Sequence, residues 1–203
     1  MTLYQPYPCI WHLSSSVRNQ IYLWGGNTKV GKKDSNVLER FDPLLEFWCR
    51  FSTKGIPHPG LNSGAYASSG DCLYMYGGYD IRGRYCGVLN RLDVNTCTWV
   101  LSMVLLSPEA PNASHPMRKC NCGMVLLHGD KVGVFGGYGF PMEPIQPGSR
   151  YVRSNKFTDG RGWTNEFHVF NLREGRVRNS IHTLVSWVTA LGNGSPPRHL
   201  GSF

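Results

Sequence analysis

The sequence lacks any apolar run near the ~18 residues a membrane-spanning helix needs, which excludes a helical span. Charged residues make up only 17% against 41% hydrophobic, so neither a disordered tail nor a coiled coil is expected. The seven cysteines form no CxxC pair, and a zinc ribbon is excluded. Histidines stand singly, at His12, His58, His115, His128, His168, His182 and His199, with no HxH or HExxH among them. No GxSxG elbow or phosphate loop occurs either, so an enzyme built on any of these devices is not expected. Met1 to Pro8 carries no positive n-region, and the weakly apolar stretch behind it contains His12 and Ser14, so no secretory signal is expected.

Without an export signal, an odd cysteine count points to a reduced cytosolic or nuclear chain. Cys72 and Cys97 sit in apolar runs and read as small hydrophobes. Cys120 and Cys122 alternate, which places them on one strand face. A metal there would need two further ligands, and neither metal nor cofactor is expected. The net charge of +8, from 21 Lys and Arg against 13 Asp and Glu, suits an acidic or carboxylate-bearing partner. Those positive residues are scattered, as in Arg82 and Arg84 or Arg150, Arg153 and Lys156, so nucleic-acid binding is not expected.

What is abundant is punctuation. Gly 24, Pro 13 and 12% aromatic residues fit short strands joined by many turns. Self-comparison then shows a repeat. Ile21-Tyr22-Leu23-Trp24-Gly25-Gly26 returns as Leu73-Tyr74-Met75-Tyr76-Gly77-Gly78 and as Val132-Gly133-Val134-Phe135-Gly136-Gly137. Each glycine pair is followed by a polar loop and a second apolar strand, Val37–Asp42, Val88–Asp93 and Glu166–Asn171. Six residues past the closing Asp stand Trp48 and Trp99. A further short strand precedes each pair, near 63–68 and 121–127 in the second and third copies. Four short strands make a sheet that cannot bury both faces alone, so stacked units predict an all-β propeller. The glycine pairs mark sharp turns at strand ends, and each Trp fills the gap between adjacent sheets.

With these elements the chain resembles the kelch family. The third unit, Phe135-Gly136-Gly137-Tyr138-Gly139-Phe140-Pro141 followed by Arg161-Gly162-Trp163-Thr164-Asn165-Glu166-Phe167, is similar to kelch domain-containing proteins 1 and 2. That resemblance implies a substrate receptor of a cullin-RING ubiquitin ligase, binding the free C-terminus of target proteins. It further implies that Tyr138 and Trp163 line a peptide pocket with Arg161 beside them, and that the carboxylate-binding arginines belong to a repeat beyond residue 203.

The expected layout is an incomplete propeller: one blade at about 7–52, a second at about 61–102, a third at about 119–190, and the start of a fourth at about 195–203. Residues 176–192 read either as a short amphipathic helix or as a strand of altered register, and the third unit has Val177 where the others have Trp. Three blades leave raw edges, which predicts self-association or a need for a partner. The loops behind the glycine pairs gather on one face and carry Arg82, Arg84, Tyr85, Tyr138, Arg161 and Trp163, a composition that interface hot spots favour. Protein binding is therefore the expected function, with a general kelch scaffold for cytoskeletal or signalling partners as the alternative. A propeller enzyme of oxidase or glycosidase type is the second alternative.

Overall fold

A computed structural model describes residues 4–28, 37–55, 62–80, 82–103, 118–128, 131–140, 150–156 and 159–172. Three antiparallel meanders follow one another along the chain. The first sheet orders Leu13–Val17, Gln20–Trp24, Leu38–Asp42 and Phe47–Phe51. The second repeats it with Ala65–Ser69, Cys72–Tyr76, Leu89–Asp93 and Thr98–Met103. In the third, Gly123–Leu127, Lys131–Phe135 and Phe167–Asn171 are paired. The segments expected at 176–192 and 195–203 lie outside the described residues.

The repeated residues are those the turns require. Arg18 and Asn19 both have positive φ, 48° and 61°, the geometry of a two-residue hairpin turn that follows the natural strand twist. At the next hairpin Asp42 Oδ1 accepts the amides of Leu44 and Leu45 at 2.9 and 3.1 Å. Asp93 Oδ1 does the same for Asn95 and Thr96 at 2.9 and 3.0 Å. The Asp that closes each of these strands thus caps the turn that follows it. All six residues of the glycine pairs have positive φ, from 66° at Gly136 to 109° at Gly137. At Gly77 the freedom is essential, because a Cβ there would collide with the carbonyl oxygen of Lys119.

Strand alternation gives every sheet two faces. Leu13, Tyr22, Trp24 and Leu38 of the first sheet pack on Leu73, Met75, Leu92 and Trp99 of the second. The opposite face of the second, with Ala65, Tyr74, Tyr76 and Leu89, packs on Val132, Val134 and Phe170 of the third. Below these seams Arg18 makes an ion pair with Asp71 and bonds Asn95 Oδ1 at 3.3 Å, joining the turns of the first and second sheets. This is a run of propeller blades about one axis, each sheet flanked by its sequence neighbours.

At the rim that carries the glycine pairs, the segment before each sheet pairs with the residues behind its glycines: Ile10 with Asn27, Asn62 with Tyr79, and Cys120 with Tyr138. The next residue in each case, Trp11, Ser63 or Asn121, has φ between 51° and 59°. These three are linked across the seams: Ser63 N–H donates to Trp11 O at 3.2 Å, and Asn121 N–H to Ser63 O at 2.8 Å. A relay of backbone hydrogen bonds therefore runs from sheet to sheet.

Two expectations need correction. Cys120 and Cys122 do not share a strand face, because left-handed Asn121 breaks the strand between them. Cys120 pairs with Tyr138 in the rim, whereas Cys122 packs between the second and third sheets. The two equivalent tryptophans also differ. Trp99 is buried at 5% exposure in the seam with the first sheet, but Trp48 is half-buried, its ring beside Phe41 at 4.9 Å, with no sheet beyond it among the described residues.

Candidate aromatic and arginine surface on the loop rim

The stretch behind the third glycine pair is more ordered than a polar loop. Tyr138–Gly139, Gly162–Thr164 and Tyr151–Arg153 form a small antiparallel sheet with Lys119–Cys120. Glycines let these strands lie close: a Cβ at Gly162 or Gly139 would strike the backbone of Val152 or Arg118. Tyr151 hydroxyl donates to the carbonyl of Gly139 at 3.0 Å, which ties the far strand to the near one.

This sheet sets Tyr138 directly opposite Trp163, their ring centroids 5.0 Å apart. Tyr85, from the loop behind the second glycine pair, reaches across the blade boundary to Tyr138 at 6.4 Å and to Phe140 at 5.8 Å. Tyr79 backs Tyr85 at 5.9 Å. Over this surface lies Arg161, its guanidinium carbon 5.6 Å from the Tyr85 centroid and 5.9 Å from that of Phe140. Arg161 Nη1 donates to Tyr85 hydroxyl at 3.2 Å, and its Nε lies 2.6 Å from Asp159 Oδ2. Cation–π contact and the hydrogen bond to the Tyr85 hydroxyl both hold the guanidinium beside the rings.

Burial, with nearby Cys120, pushes the Tyr85 phenol up to about 12 against the Arg161 bond that lowers it, so it stays neutral at pH 7. Burial likewise pushes the Cys120 thiol to about 12 and the Cys86 thiol to about 11. Neither is a thiolate nucleophile or ligand in that state. Among the described residues no three His, Cys, Asp or Glu side chains converge to hold a metal.

Of the predicted site residues, Tyr138, Arg161 and Trp163 come together. Arg82 and Arg84 take a different place. Asp80, buried at 5% exposure, accepts the amides of both at 2.9 Å and the Arg84 Nε at 2.7 Å. Arg84 is thereby used to shape its own loop, and the exposed Arg82 is bound only through its backbone amide among the described contacts. The loop contributes Tyr85 to the surface instead. Phe140 and Tyr79 were not singled out from sequence, although Tyr79 and Tyr138 each directly follow a glycine pair and that equivalence was the available signal.

Beneath the rim, in the seam between the second and third sheets, His168 Nε2 lies 3.1 Å from Glu166 Oε2 with both residues buried. Burial and the nearby Lys119 charge lower the imidazole to about 4 against the pull of Glu166, so it is neutral at pH 7. Burial pushes Glu166 up, but the His168 hydrogen bond and the Lys119 charge outweigh it and hold the carboxylate below its ordinary value.

The comparisons with known proteins agree with this architecture. Kelch domain-containing protein 3 of Rattus norvegicus is 26% identical over 180 residues, covering 86% of this chain and 44% of the relative. Its Bos taurus counterpart is 23% identical over 202 residues, covering 88% and 51%. The chain thus spans about half the length of these curated relatives. Acyl-CoA-binding domain-containing protein 4 of Arabidopsis thaliana is 29% identical over 109 residues, 53% of this chain and 16% of the relative. Among solved structures, that of YjhT superposes with a TM-score of 0.54 at 16% identity, covering 83% of this chain and 55% of that one, a likeness of fold. The family model of the KLHDC2/KLHL20/DRC7 Kelch-repeats domain matches residues 11–200, and the repeated glycine pairs, capping aspartates and stacked sheets described above are its physical counterpart: the chain belongs to the Kelch-repeat family.

Proposed function

We propose that this chain is a protein-binding module, that its rim binds acidic or C-terminal peptides, and that it serves within a substrate receptor of a cullin-RING ubiquitin ligase. The observation that carries this reading is Arg161 held over Tyr85 and Phe140 beside the Tyr138–Trp163 pair, a rigid aromatic and cationic surface on the face where loops vary. Aromatic rings supply contact area at low entropic cost, and a guanidinium selects carboxylates by paired hydrogen bonds. The net charge of +8 favours acidic partners over long range.

A second reading, a general scaffold for cytoskeletal or signalling proteins, is favoured by one contact. Arg161 already holds a carboxylate, that of Asp159, so a terminal carboxylate has to displace it or be met by another cation. Peptide arrays presenting each sequence with a free and with an amidated C-terminus separate the two. Loss of signal on amidation supports C-terminal recognition; binding indifferent to amidation supports the scaffold.

A further inference from the structure

The groups that hold the Arg161 side chain differ in how freely each can leave. Tyr85, whose hydroxyl accepts from Nη1 at 3.2 Å, is fixed by ring contacts with Tyr79, Tyr138 and Phe140. Asp159 is attached differently. Its Oδ2 lies 2.6 Å from Arg161 Nε, and its side chain is 40% exposed, against 20% for Arg161. Its Oδ1 accepts the Arg161 amide at 3.2 Å. The residue between them, Gly160, has a φ of 86° and open space where a Cβ would stand, so nothing crowds the loop on that side. The Arg161 backbone is anchored independently, its carbonyl accepting from Ser154 N–H at 2.8 Å. Release of the Asp159 carboxylate therefore leaves the arginine in place.

A carboxylate that grips a guanidinium from the side by two parallel hydrogen bonds uses Nε and one terminal nitrogen. Asp159 stands at the Nε position, so an incoming carboxylate takes this edge only by replacing it. On the reading of the rim as a peptide-binding surface, we propose that Asp159 is a tethered stand-in for a peptide carboxylate. It keeps Arg161 oriented and charge-balanced in the unbound rim and yields its place when a peptide brings a carboxylate of its own. Asp159 is thus a specificity-determining residue. A ligand without a carboxylate leaves the pair intact and meets an aromatic surface of no net charge. A small lone anion gains little over Asp159, whereas a carboxylate on a peptide that also contacts Tyr138 and Trp163 gains the rings as well. The resident pair is solvent-exposed, so its competition weakens binding by a modest factor, about three- to fivefold. The peptide's carboxylate belongs either to its C-terminus or to an acidic side chain, two sources of the same chemistry.

Asp159→Asn tests this, because the asparagine carbonyl oxygen still accepts the Arg161 amide and only the charge facing Nε is lost. Fluorescence polarisation is read for both chains with the peptide that binds most strongly on the arrays. That peptide is titrated with a free C-terminus, with an amidated one, and with its Asp and Glu replaced by Asn and Gln. The variant is expected to bind about three- to fivefold more tightly, and only to forms that keep the exchanging carboxylate. A gain that disappears on amidation assigns that group to the peptide terminus, and one that disappears on side-chain replacement assigns it to an acidic residue. Unchanged affinity of the variant, while the unsubstituted chain still requires a peptide carboxylate, overturns this proposal and leaves the peptide-binding reading standing. An equal gain for every form overturns it as a general charge effect. Binding by neither chain that depends on a carboxylate overturns the reading and the proposal together.

Discussion

Trp24 and Trp99 meet across the first seam with ring centroids 5.1 Å apart and planes inclined at 58°. Both are almost wholly buried, whereas Trp48, at the position equivalent to Trp99, is half-exposed. Trp99→Ala is expected to cost about 3–5 kcal/mol, the usual range for deleting a buried aromatic. Trp48→Ala is expected to cost about 1 kcal/mol or less, the worth of its cross-strand pairing with Phe41. Urea unfolding of the two variants checks this, and equal costs would show that the two sites are packed alike.

Gly77 combines a φ of 73° with a neighbouring carbonyl that leaves no room for a Cβ. Gly70, at φ 56°, has open space around it. Gly77→Ala should therefore destabilise by well over the ~1–2 kcal/mol expected of Gly70→Ala, which bears the conformational strain alone. The difference in unfolding midpoints between the two variants isolates the steric collision with Lys119.

Stability should fall with acid before ordinary carboxylates titrate. The buried His168 takes its proton at about 4, against 6.5 for the unfolded group. Between those values the unfolded chain binds a proton that the folded chain refuses, so stability drops as pH falls through the window, on the order of 3 kcal/mol in full. Glu166, depressed in the fold, adds a further loss below its ordinary 4.5. Thermal unfolding from pH 7.5 to 5 reads the slope, and His168→Gln is expected to flatten it; an unchanged slope would place the titration elsewhere.

Trp163→Ala should abolish or weaken peptide binding at least tenfold while leaving the thermal midpoint within a few degrees, because its ring is half-exposed and packs on Tyr138 alone among the described rings. Arg161→Lys keeps the charge but loses the flat fork, and a loss of binding comparable to Arg161→Gln is expected if stacking and bidentate geometry matter. Isothermal titration with an array-selected peptide reads both. A large collapse in stability for Trp163→Ala would instead assign that ring to packing.

The blades were legible because their determinants are local and recur: Asp42 and Asp93 cap identical turns, and glycine pairs follow equivalent strands. Trp48 departs from the pattern of Trp99 because burial at this position depends on a neighbouring sheet rather than on the local sequence. The left-handed kink at Asn121, a residue type that tolerates positive φ, interrupts the alternation that would otherwise set the flanking cysteines on one face. The rim was only partly readable, since Arg84 and Arg161 find their carboxylates, Asp80 and Asp159, through loop shapes that do not repeat.

The three stacked sheets are made in chain order, the third closing with Phe167–Asn171 only after the rim strands that follow its glycine pair, and the second and third each pack on the one before. A chain emerging from the ribosome can therefore shut the Trp24 seam once Trp99 is out, before the third sheet has been synthesised. Vectorial growth suits this topology: each of these sheets meets a partner already made, whereas excising the middle one leaves two mismatched faces.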